Sequence, residues 1–370
     1  MKKNVFFIFI ITVFLLQVAS TAGFLKYVTG LFIVYITIVI RAKQGDKYKK
    51  YEVKFLLLIM LSTIFYIIYS LIIYIMNGNM FSVEYYFKYS LFMIIPIISG
   101  YCYSVLINKF NRDIDLPKIL FLATCIVFVI INREFITKFI LSGFKGFLYE
   151  VNEAFIFGIY SIYFFVQKRK KLCLASILFT LLAGKRIAVG VTLATVIVIY
   201  ISKLIKKQSI ITIGYFISIV FSYIYVYLIK YGKLIEIFRR YNIDDTGRNY
   251  IYSFVSPYYD FKIGFLGTGI GIESIVAKNT IFSNLHSDTL KIYIELGFLG
   301  YLVYYLIGFG VYRIINKSNK KLAIIYLSIM LYSNLIYLTD NVSIYYVYLF
   351  PIYALIFNEF ICLRRNYNVS

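Results

Sequence analysis

The chain is divided almost end to end into uninterrupted apolar runs, most of them near the ~20 residues a helix needs to cross a bilayer. They cover roughly 5–20, 24–40, 55–76, 90–107, 119–131, 154–166, 172–183, 187–203, 209–229, 293–312, 322–338 and 344–363. Lipid offers no partner to backbone N–H and C=O groups, so a spanning chain must form helices or a closed barrel. The runs are continuous and do not alternate with period two, which excludes a barrel. The expectation is an all-α polytopic membrane protein with about 12 transmembrane helices. It forms one integral membrane domain over residues 1–370. Its 61% hydrophobic content fits, against about 45–50% in soluble domains. The first run follows Met1-Lys2-Lys3-Asn4 with no separate small-residue cleavage site, so it reads as a retained helix.

The net charge is +22. About 24 of the 39 Lys and Arg fall in short connections on one side of the runs, the positive-inside pattern. Lys43, Lys47, Lys49 and Lys50 form one such group, and Lys168, Arg169, Lys170 and Lys171 another. The charge thus sets topology and attracts anionic lipid; it does not mark a nucleic-acid binder. Both termini are expected in the cytoplasm, with connections 41–54, 109–118, 168–171, 203–207, 313–321 and 364–365. The outer connections are then 20–23, 77–88, 133–153, 184–186, 230–292 and 339–343. The large outer loop 230–292 joins spans nine and ten. Segment 133–153 mixes Phe, Leu and charge and reads as an interfacial amphipathic helix. Runs 119–131, 154–166 and 172–183 are short, either extended by polar flanks or partly re-entrant. Tyr and Phe, 39 and 35 copies, gather near run ends, where aromatic rings favour the interface. Cys102, Cys125, Cys173 and Cys362 lie in or beside apolar runs without metal-ligand spacing and read as small buried hydrophobes. No internal repeat and no matched pair of broken helices is evident, which argues against a repeat-built transporter.

Several outer cations break the charge bias. Lys185 and Arg186 stand at the outer end of a tight hairpin, Gly184-Lys185-Arg186-Ile187. Either both snorkel to headgroups, or the Arg fork meets a phosphate or pyrophosphate. Arg248 follows Asp244-Asp245-Thr246-Gly247 and precedes an aromatic stretch. It either pairs with one of those aspartates or aims its guanidinium at the bilayer. Arg239 and Arg240 lie nearby. Gly264, Gly267, Gly269 and Gly271 read as a tight surface turn, with a phosphate nest as the lesser alternative.

The sole histidine, His286, sits in the polar stretch Ser283-Asn284-Leu285-His286-Ser287-Asp288-Thr289, directly before an apolar run. Asn284 or Ser287 is the expected cap of the following helix, with Asp288 in its first turn. The positive end of the helix dipole would lower the imidazole pKa and keep it neutral, as a base must be.

Together these residues resemble the bacterial O-antigen polymerase and ligase superfamily, and the Wzy-type polymerases above all. The likeness rests on Gly184-Lys185-Arg186-Ile187-Ala188, Thr246-Gly247-Arg248 and Gly267-Thr268-Gly269-Ile270-Gly271. It continues in Asn284-Leu285-His286-Ser287-Asp288, running into Glu295-Leu296-Gly297-Phe298-Leu299-Gly300. The resemblance implies a GT-C-like glycosyltransferase in the bacterial cytoplasmic membrane, with no nucleotide-sugar donor, no cofactor and no required metal. Its substrates would be polyprenyl-pyrophosphate-linked oligosaccharides, joined at the outer face into O-antigen or capsular polysaccharide. It assigns catalysis to His286 and the donor pyrophosphate to Arg186, Arg248 and Lys185. Arg239, Arg240, Asp288 and Glu295 are supporting candidates. Membrane lipid and a chain-length regulator are the expected partners. Guanidinium groups at the departing pyrophosphate would stabilise the transition state, and a neutral His would accept the acceptor hydroxyl's proton. No paired carboxylates stand out at the outer face, so direct inversion is the simpler expectation. Two alternatives remain: a ligase of the same superfamily, and a lipid-linked oligosaccharide flippase.

Overall fold

The computed structural model describes residues 2–21, 25–43, 50–77, 83–110, 114–141, 151–242, 247–282 and 284–367. These residues form helices joined by turns, with no strand among them. In order they are α1 (Lys2–Thr21), α2 (Leu25–Lys43), α3 (Lys50–Asn77), α4 (Val83–Phe110), α5 (Leu116–Ile131) and α6 (Arg133–Leu141). Then come α7 (Ala154–Val166), α8 (Lys170–Leu182), α9 (Arg186–Leu204), α10 (Ser209–Lys230), α11 (Lys233–Arg240) and α12 (Arg248–Val255). The last are α13 (Ile272–Asn279), α14 (Asp288–Ser318), α15 (Lys320–Ile336) and α16 (Tyr346–Tyr367). Seven of them, α2, α3, α4, α9, α10, α14 and α16, are long and apolar enough to cross a membrane. The chain is an all-α, multi-pass membrane protein.

Each apolar run of the sequence is helical. The short ones differ in their surroundings. In α7 every residue but Phe165 is buried, so this 13-residue helix is covered by protein along its length. Segment 133–153, expected as an interfacial helix, is helical over Arg133–Leu141 as α6; residues 142–150 lie outside the described residues.

Polar locks at the two ends set the helix directions. At one end Arg41 of α2 meets Glu52 of α3 at 3.0 Å, and Tyr101 of α4 donates to the same carboxylate. Arg169, before α8, grips Asp115, before α5, at 2.6 Å. Glu359 of α16 takes Lys321 of α15 at 3.0 Å and Gln167, just after α7, at 2.6 Å. This end carries the start of α3, α5, α8 and α15 and the finish of α2, α7 and α16, so consecutive spans alternate. Most of the basic connections collect there. At the far end Lys185, between α8 and α9, meets Asp340, between α15 and α16, at 2.8 Å.

Tyrosine is not confined to the boundaries. Tyr160, Tyr163, Tyr215, Tyr301, Tyr305 and Tyr332 are fully buried within the bundle. The reason is hydrogen bonding across helices: Tyr27 donates to the Ile344 carbonyl at 2.9 Å, Tyr215 to Tyr305 at 2.8 Å and Tyr332 to Phe155 at 3.0 Å. Apolar side chains gain little by leaving lipid for a protein interior, so close packing and such bonds hold spans together.

Helix α14 does not run straight. α14 breaks at Gly297 (φ 66°, ψ −174°), and everything before the break, Asp288 to Leu296, is buried. Segment 264–271 lies along this break and repairs it. The N–H groups of Thr268 and Gly269 donate to the freed carbonyls of Ile294 and Glu295, both at 2.9 Å, and Phe298 N–H donates to the Phe265 carbonyl at 3.0 Å. Irregular backbone at such depth persists only where protein satisfies it. Helix α14 is therefore a broken helix, which the unbroken apolar run around Gly297 does not announce. Helix α12 and the turn after it also pack on the end of α10: the Tyr225 and Tyr252 hydroxyls are 3.0 Å apart, and Lys230 donates to the Ser256 carbonyl at 2.7 Å.

Candidate active site

His286 stands in a turn with φ 56°, in the left-handed region. Few residues without a glycine's freedom occupy it, His among the more tolerant. The next residue, Ser287, is extended and caps α14, accepting from Leu290 N–H at 3.2 Å. The cap is thus Ser287, and Asp288 opens the helix. The imidazole is half-buried and edge-on to Phe282, with ring centroids 6.5 Å apart. Burial lowers its pKa most, followed by the Arg248 guanidinium; Asp340 pulls the other way, Lys185 lowers it further and Glu273 opposes. The sequence reading assigned this lowering to the helix dipole. Desolvation and Arg248 account for it first, because the charged form loses water and faces a fixed cation.

Four residues between α15 and α16 tie the site together. The Thr339 carbonyl accepts from Arg248 Nη2 at 3.5 Å. The Asp340 carboxylate takes Lys185 Nζ at 2.8 Å, and its carbonyl takes the Asp288 N–H at 3.1 Å. Asn341 donates to Glu273 at 2.5 Å. Ser343 donates its N–H and hydroxyl to the Asp288 carboxylate at 2.7 and 2.5 Å. Sequence reading saw this stretch only as a short outer connection.

Deeper in, Lys291 and Glu273 form a buried ion pair at 3.2 Å, with Lys291 Nζ 4.5 Å from the centre of the Tyr89 ring. Glu295 lies one turn further along α14. Its carboxylate accepts from Tyr66 and from the N–H groups of Gly271 and Ile272, at 2.8 and 3.3 Å for the latter two. This overturns the expectation of a surface turn at Gly264–Gly271. From Gly267 onward the segment is buried, and the anion in its nest of N–H groups is the protein's own Glu295.

The site candidates therefore separate. Charge interactions join His286, Arg248 and Lys185, and Asp288 is linked to them through Asp340. Lys185 is already committed: Asn152 Oδ1 lies 2.9 Å from Nζ and the Phe155 ring centre 4.5 Å away, beside Asp340. Arg186 begins α9 next to it and is exposed. Asp244 and Asp245, the aspartates proposed to pair with Arg248, lie outside the described residues. Arg248 Nε is buried without a hydrogen-bond partner among the described residues. Arg239 and Arg240 close the exposed end of α11, and no described contact joins them to His286. Glu295 is a structural acceptor for the glycine segment. Sequence reasoning missed Asp340, Asn341, Glu273 and Ser343. A carboxylate followed by an amide at the finish of an apolar run, Asp340-Asn341, was the available signal.

The fold and site thus define a multi-pass helical membrane protein with a buried polar cluster at the end opposite its basic connections. No protein-family profile, no curated protein and no solved structure matches the chain.

Proposed function

We propose that the protein is a polysaccharide polymerase that joins polyprenyl-pyrophosphate-linked repeat units at the outer face of the bacterial cytoplasmic membrane. One observation carries the reading: a half-buried imidazole held towards its neutral form beside Arg248, opposite the basic end of the bundle. Positive-inside bias puts the basic end in the cytoplasm, with both termini, and the His286 cluster outside. Twelve crossings in a GT-C-like arrangement accommodate every apolar helix.

In this reading the acceptor hydroxyl attacks the anomeric carbon of the growing chain. A new C–O bond forms as the bond to the pyrophosphate oxygen breaks, and that oxygen keeps the electron pair. His286 takes the hydroxyl proton. Arg248 and the exposed Arg186 meet the charge growing on the pyrophosphate, where preorganised donors contribute most. Lys185, held by Asp340, shapes the turn that presents Arg186. Two cavities of about 40 and 90 Å³, lined by both polar and apolar side chains, have room for water and not for a sugar ring.

The test is the purified protein in vesicles with one defined polyprenyl-pyrophosphate-linked oligosaccharide. The reading expects a ladder of longer chains still attached to lipid, with one polyprenyl pyrophosphate released per bond. A ligase would form no ladder and would require a different acceptor. A flippase would leave chain length unchanged and move single units between leaflets.

A further inference from the structure

Lys185 and Asp340 are each 5% exposed, and their charged atoms are 2.8 Å apart. A buried ion pair is weak evidence of stabilisation, since apolar replacements of both partners are often neutral or better. What this pair provides is placement. Its carboxylate holds the Gly184–Arg186 turn through Lys185, while the carbonyl of the same residue holds the Asp288 N–H, two residues past His286. Its neighbours Thr339 and Asn341 hold Arg248 and Glu273. No other described residue touches both turns through such direct bonds.

We propose that Asp340 is the positioning residue of the site: it clamps the Arg186 turn to the His286 turn and sets one negative charge against the cations facing the imidazole. This rests on the base role proposed for His286. The charged groups facing that imidazole are Arg248 of α12, Lys185 of the α8–α9 turn, Asp340 of the α15–α16 connection and Glu273 of α13. Arg248 and Lys185 favour the neutral ring; Asp340 and Glu273 favour the charged one. Loss of the Asp340 carboxylate thus over-neutralises the base and releases the Arg186 turn from a connection whose backbone carbonyl still holds the His286 turn. A misplacement of about 1 Å in reacting groups costs about 10²-fold in rate.

The chain has one histidine, so histidine-selective isotope labelling gives a single imidazole signal in the full-length protein in nanodiscs, purified without a histidine tag. Asp340→Asn should move its titration to lower pH, Lys185→Met to higher pH, and the double variant should return it near the wild type. Asp340→Glu, which keeps the charge, should stay near the wild type. If an unpaired Lys185 prevents Asp340→Asn from folding, the step from Lys185→Met to the double variant reports the same change without a stranded lysine. In the polymerisation assay Asp340→Asn should lose about 10²-fold in kcat with little change in KM, and Asp340→Glu should recover most of it. The acid limb of the rate profile should follow the imidazole. A titration unmoved in both single variants, or moved in the same direction by both, overturns the proposal. An imidazole that shifts while the acid limb stays fixed instead removes the base role of His286 and leaves the electrostatic coupling to Asp340 standing.

Discussion

Gly267 and Gly297 meet backbone to backbone: a Cβ on Gly267 would stand 2.6 Å from the Gly297 nitrogen, and one on Gly297 2.5 Å from the Gly267 nitrogen. Both have positive φ, 96° and 66°. Two glycine motifs far apart in sequence are thus one joint, and that joint breaks α14 where His286 and its cap lead into the bundle. Either residue changed to Ala should destabilise the protein by more than the ~1–3 kcal/mol of dihedral strain alone, because backbone must also move. Thermal unfolding in detergent checks this, with Gly190→Ala as control, since nothing lies within 4 Å of a Cβ there. Equal melting of all three variants contradicts the joint.

The Lys291–Glu273 pair makes a second stability test. Its side chains are 5% and 0% exposed. Removing one partner strands a buried charge, so Lys291→Met and Glu273→Gln should each cost about 3–5 kcal/mol. The double variant should recover much of that loss. Additive losses in a melting series would show that the two groups do not depend on each other.

Topology is open to labelling. Ile281 is 93% exposed and lies in the connection assigned to the outside, whereas Cys362 lies at the basic end. An impermeant thiol reagent on intact cells should label Ile281→Cys and leave Cys362 untouched until the membrane is opened. The reverse pattern turns the molecule over and removes the outer-face chemistry.

Among the described residues, Arg248 has its Nε buried without a hydrogen-bond partner, and its Nη2 lies 3.5 Å from the Thr339 carbonyl. Arg186 is exposed at the start of α9. If both meet the leaving pyrophosphate, Arg→Lys at either keeps the charge and loses the planar fork. Turnover should fall by about 10²–10³-fold, as for loss of one transition-state donor. Wild-type turnover in a well-expressed Arg186→Lys protein would remove that residue from the site.

What the sequence made legible was what obeys a local rule. Apolar length marked the helices, Ser287 followed by Asp288 marked the start of α14, and the lone His286 marked the polar turn. The break at Gly297 was hidden because Leu296 and Phe298 continue the apolar run on either side, and only the partner segment 264–271 makes the break tolerable. The role of Gly271 was hidden for the same reason: its N–H serves Glu295, 24 positions away. Asp340 was passed over because an acid after an apolar run reads as a solvated end; its partner Lys185 lies 155 positions earlier.

The sharpest test of the central claim is the pH dependence of polymerisation in wild type and His286→Ala. The folded imidazole titrates below its ordinary value of 6.5, so the neutral form is favoured in the fold. Stability from this group is present above the unfolded value and is lost as pH falls through the folded one. The rate should likewise hold at neutral pH and drop on acidification as the ring protonates, at a pH below that of a free imidazole. His286→Ala, still inserted in the membrane, should lose about 10²-fold or more in turnover, and its residual activity should lack that acid limb. A His286→Ala protein that makes long polymer at near wild-type rate, with the same pH profile, would contradict the account.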